Sequence, residues 1–106
     1  MKTERRHERS ARAEEAIELF LTAKKKNLSL RALTVGTLDG DLLFGVGNDL
    51  ESVAMRGAKV DRGEMFDEEI ATWRTSVGNT SLVMTSWGGK LAPDMADGVK
   101  RILKVA

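Results

Sequence analysis

Between Ala13 and Leu21 apolar residues recur at three- and four-residue steps, and from Ala32 to Gly47 the pattern changes to a period of two. Ala13, Ala16, Ile17, Phe20 and Leu21 lie on one stripe of a helix. Its other side carries Glu14, Glu15 and Glu18 early and Lys24, Lys25 and Lys26 late, an order that suits the helix macrodipole. The spacing predicts a helix from Ala13 that fades near Asn27. Residues 1–12 (MKTERRHERSAR) hold almost nothing apolar, and a polar, basic arm or a solvated helical extension is expected there.

Period two then takes over. Leu33 and Val35 share one strand face, and Ala32, Thr34 and Gly36 the other. After Asp39-Gly40 a second strand places Leu42, Phe44 and Val46 on one side and Leu43, Gly45 and Gly47 on the other. An Asp-Gly pair between two such runs is a strong hairpin signal, because the turn needs positive φ, which Gly adopts freely and Asp tolerates. Small or apolar residues on both faces imply a sheet covered on both sides. Asn48 reads as a helix N-cap with Glu51 in the capping-box position, followed by the stripe Leu50, Val53, Ala54, Gly57 and Ala58. A charged connection (residues 59–69) leads to a second hairpin, Ile70–Val77 and Ser81–Trp87, turning at Gly78-Asn79. Pro93 fits the first turn of a third helix whose stripe is Met95, Val99, Ile102, Leu103 and Ala106. The predicted order is α-β-β-α-β-β(-β)-α. It is an α/β (α+β) fold with a central antiparallel sheet of four to five strands and helices on both faces.

Composition narrows the picture. A length of 106 residues, 42% of them hydrophobic, suits one domain over residues 13–106, preceded by the 1–12 arm. With no cysteine, disulfides, thiolate nucleophiles and cysteine metal sites are excluded. No window approaches a membrane span and the basic start lacks a signal peptide's apolar run, so a cytoplasmic location is expected. The net charge of +1 is unevenly spread: residues 1–31 carry nine Lys/Arg against five Glu, the remainder eight against eleven acidic residues. Such an asymmetry suits an acidic partner or merely a solvated basic face.

The glycine- and aspartate-rich stretch 34–54 invites a ligand-binding reading that its spacing refuses. Gly45-x-Gly47 lacks the third Gly of a dinucleotide fingerprint, since position 50 is Leu, and Gly89-Lys90 is followed by Leu91 rather than the Ser/Thr of a P-loop. Asp39, Asp41 and Asp49 lack the alternating oxygen ligands and closing Glu of a calcium loop. No cofactor and no metal are expected. The only histidine, His7, lies in the polar arm, so catalytic pairs would have to come from Ser, Thr, Lys and carboxylates such as Asp67-Glu68-Glu69, which fit solvated surface better. No catalytic residues are assigned and the chain is expected not to be an enzyme. The basic run Lys24-Lys25-Lys26 lacks interleaved aromatics, and nucleic acid is not expected as a partner. Trp73 and Trp87 sit in strands, where each serves as a core residue or an interface anchor, and Met55 and Met65 flank the charged connection with the same two readings.

The order of elements and the stretch "LRALTVGTLDGDLLFGVGNDLESVAMRGA" together resemble the roadblock/LC7 family. The matching features are Leu33-Thr34-Val35, the acidic Asp39-Gly40 turn, Leu42-Leu43-Phe44 and an alanine-rich helix from Asp49 to Ala58. "SLVMTSWGGKLAPDMADGVKRIL" is similar to the family's last strand and final helix. The family has three strands between its second and third helices, whereas two read clearly here, with Gly63 to Ile70 as a shortened extra strand or a loop. The resemblance, closest to stand-alone gliding-motility polarity regulators, implies a homodimer whose twofold interface uses the second helix and the strand beside it. On this sequence that places Ala54, Met55, Ala58, Met65, Ile70 and Trp73 at the dimer or partner interface. It further implies a non-enzymatic scaffold or regulator that binds a small Ras-like GTPase, another roadblock protein, or both. A profilin-like or PAS-like small-molecule-sensing domain is the alternative, and a nucleic-acid module a weaker one.

Overall fold

Residues 2–64, 69–89 and 93–105 are described by a computed structural model. They form α1 (Lys2–Asn27), β1 (Ala32–Thr37), β2 (Leu42–Gly47), α2 (Leu50–Asp61), β3 (Ile70–Val77), β4 (Thr80–Trp87) and α3 (Pro93–Val105). The helix predicted from Ala13 thus begins at Lys2 and runs through the polar leader. The four strands make one antiparallel sheet in the order β2-β1-β4-β3. The Gly63–Ile70 segment, read from the sequence as a shortened strand or a loop, includes residues 65–68, among them Met65, Asp67 and Glu68, which lie outside the described residues.

Both α1 and α2 end in the same hydrogen-bonded motif. After α1, Ser29 N–H donates to the Lys26 carbonyl (3.2 Å) and Leu30 N–H to the Lys25 carbonyl (2.9 Å). After α2, Gly63 N–H donates to Val60 (2.9 Å) and Glu64 N–H to Lys59 (3.0 Å). Each motif needs a left-handed residue to reverse the chain. Gly63 supplies it at φ +100, and Ser29 takes it at φ 54 despite its Cβ.

The first hairpin differs from the two-residue turn expected at Asp39-Gly40. Gly40 N–H donates to the Thr37 carbonyl (3.1 Å) and Thr37 N–H to the Asp41 carbonyl (2.9 Å), and Gly40 alone takes positive φ. This is the longer loop in which a type I turn is followed by one left-handed residue. A β-bulge follows: Val35 faces Phe44 but Gly36 faces Leu42, leaving Leu43 as the extra residue. Leu42 therefore moves to the opposite face from Phe44, where its side chain lies beside Gly45 and Leu50. The period-two reading, which grouped Leu42 with Phe44 and Val46, is corrected by that one inserted residue.

The predicted N-cap is also displaced. Asn48 N–H donates to the Arg31 carbonyl (3.2 Å) and so prolongs the β1–β2 pairing. Asp49 becomes the N-cap of α2, in left-handed geometry (φ 52) and without a side-chain capping bond, and its carbonyl accepts from Val53 N–H (2.9 Å). The Asn48 N–H that Glu51 would have to cap is already bonded to Arg31, and the helix starts one residue later, so the Asn48–Glu51 box does not form.

The faces of the sheet differ in kind. Ile17 and Leu21 of α1, Leu30, Leu33, Val35, Leu82 and Met84, and Met95, Ala96 and Val99 of α3 form the main apolar core. The other face is lined by smaller residues, Ala32, Thr34, Gly36, Val83 and Thr85, and α2 covers it through Val53, Ala54, Gly57 and Ala58. A Cβ at Gly57 would lie 1.8 Å from Thr85 Oγ1, so the helix backbone rests directly on that threonine. Thr34 and Thr85 are cross-strand neighbours; both are fully buried and neither hydroxyl has a hydrogen-bond partner among the described residues.

Candidate protein-interaction surface

Among the described residues β3 lies at the edge of the sheet, hydrogen-bonded to β4 on one side only. An edge strand presents unpaired backbone donors and acceptors to any strand that approaches it. Trp73 faces away from α2, on the sheet side shared with Met84, and is 43% exposed. Large aromatic surface left open beside a free strand edge is the usual chemistry of an interface anchor. Ile70, at the start of β3, is half-buried. On the adjoining α2, Met55 is 53% exposed.

Ala54 and Ala58 are placed differently from the expectation. They are 3% and 1% exposed and face the sheet, Ala54 against Gly36 and Ala58 against Gly40. Their small side chains seat α2 on its own protomer, so the surface offered outward by this region is carried by Met55, Ile70 and Trp73.

A pair that the sequence reading missed connects the two elements. Arg74 of β3 points to the α2 side and donates two hydrogen bonds from Nε and Nη2 to the Asp61 carboxylate, the Nε–Oδ2 distance being 3.1 Å. Asp61 is largely shielded while Arg74 is half-exposed. The hydrogen bonds, and after them the negative charge, push the Arg74 guanidinium above its ordinary range, so it stays charged at any accessible pH. The sequence signal was present: Arg74 is the single charged residue in an otherwise neutral strand.

At the end of the sheet where β1 begins, Ser29, Arg31, Glu69, Trp87 and Gly88 line a groove of about 380 Å³. The Arg31 guanidinium lies 5.2 Å from the Trp87 ring centroid, a cation–π arrangement. Among the described residues no group of three or more His, Asp or Glu is disposed to hold a metal ion. No described helix is long and apolar enough to cross a membrane.

No protein-family model and no curated protein matches the sequence. Solved structures do match the fold. The gliding protein MglB from Thermus thermophilus superposes with a TM-score of 0.60 at 14% identity, over 89% of this chain and 93% of that one. Myxococcus xanthus MglB superposes with a TM-score of 0.53, also at 14% identity, over 85% of this chain and 96% of its own. The chain has the roadblock/LC7-like fold of these gliding-motility proteins.

Proposed function

We propose that this chain is a non-enzymatic, homodimeric regulator or scaffold that binds a small Ras-like GTPase, a second roadblock-type protein, or both. The observation that carries this reading is the edge that β3 forms among the described residues, beside α2, with Trp73 and Met55 exposed on adjoining elements of a roadblock-like fold. Pairing two copies of β3 about a twofold axis satisfies the open backbone groups and covers both tryptophans at once. The exposed part of α2 then flanks the junction and offers Met55, a flexible apolar side chain suited to a protein surface, to a further partner.

Sedimentation velocity tests the assembly. A dimer is expected at tens of micromolar, and Trp73→Ala is expected to weaken it by about 2 kcal/mol or more, roughly thirtyfold, as for a central aromatic anchor. A wild-type monomer under those conditions would sink the proposal. Titration of purified Ras-like GTPases, loaded with GDP or with a non-hydrolysable GTP analogue, tests the partner. Saturable binding that Met55→Asp abolishes without unfolding is expected, and its absence from every such GTPase would remove that half of the reading.

A further inference from the structure

The seating of α2 combines two opposed features. Its inner face covers the unpaired hydroxyls of Thr34 and Thr85, while its C-terminal end is held to β3 by Asp61 and Arg74. Buried hydroxyls without partners favour any motion that admits water to them. Val53, Ala54, Gly57 and Ala58, the buried residues of α2, carry small side chains or none. The opposite face, by contrast, is packed by two helices with larger side chains.

We infer that α2 is the moving element of this fold, and that the Asp61–Arg74 pair is a latch that sets how far it lifts from the sheet. The latch joins the strand that bears Trp73 to the helix that bears Met55. Arg74 is half-exposed on the edge strand, so a strand laid along β3 arrives beside the latch, and any change at the guanidinium is passed through Asp61 to the helix that bears Met55. The relay rests on the proposed interface; the latch itself rests on the geometry of one protomer.

Native-state hydrogen exchange, resolved by mass spectrometry, tests the latch. Asp61→Asn and Arg74→Gln are expected to speed exchange of the α2 amides roughly two- to fivefold, in proportion to a part-exposed ion pair, with β1 and β4 amides unchanged. The Thr34→Val/Thr85→Val double variant is expected to slow α2 exchange, since it removes the orphan hydroxyls at nearly constant volume. Wild-type α2 rates in both latch variants, or α2 changes that merely track those of β1 and β4, would overturn the inference. Sedimentation on the same samples keeps the two ideas apart: a monomeric wild type ends the proposed interface and the relay, whereas the exchange pattern alone decides the latch.

Discussion

Ser29 and Gly63 perform the same task in the same motif, which makes the molecule its own control. A left-handed conformation costs a residue with a Cβ roughly 1–2 kcal/mol, and relief of that cost by Gly is partly offset by the freer unfolded chain that Gly creates. Ser29→Gly is therefore expected to stabilise the protein by about 0.5–1 kcal/mol, a rise of a few degrees in Tm, measured by thermal unfolding. Gly57 illustrates the converse. Alanine is the better helix former, yet its Cβ would meet Thr85 Oγ1 at 1.8 Å and Thr85 Cγ2 at 2.7 Å. Gly57→Ala should cost about 1–3 kcal/mol in urea unfolding, and Gly57→Ala/Thr85→Ala should lose less than the sum of the single changes, because the second truncation vacates the contested space. Additive losses would mean that the clash is relieved by movement of the helix instead.

At the scale of elements, periodicity carried most of the information. β3 was predicted at its observed bounds, β4 within one residue, and the stripes Ile17–Leu21 and Met95–Val99 are buried where their spacing put them. Three features escaped because their causes are not local. The bulge at Leu43 is a property of the pairing between two strands, and no one-strand period contains it. Asn48 has the chemistry of a cap, but its backbone was claimed by Arg31 across the sheet. The small residues of α2 mark a close approach without saying what approaches; the answer, Gly36 and Thr85 of the same chain rather than a second molecule, required the packing to be seen. For the same reason the sequence pointed to α2 and β3 as the elements of the candidate surface but did not rank Met55 and Trp73 above Ala54 and Ala58, nor reveal that Asp61 and Arg74 join them.

At the scale of the whole molecule, the two outer strands of the described sheet differ in geometry. β3 runs without interruption against β4 for eight residue pairs, whereas β2 is broken by its inserted residue opposite the Val35/Gly36 step. Irregularity of this kind twists a strand and spoils it as a template. In the proposed dimer the regular edges are consumed by each other, and the outermost strands that remain are the bulged ones. Growth by strand addition then halts at two copies, with Leu43 as the terminator. Deleting Leu43 restores an even ladder along β2 and should release species larger than the dimer in sedimentation at high concentration; if the shortened chain folds and still stops at two, some other feature ends the array.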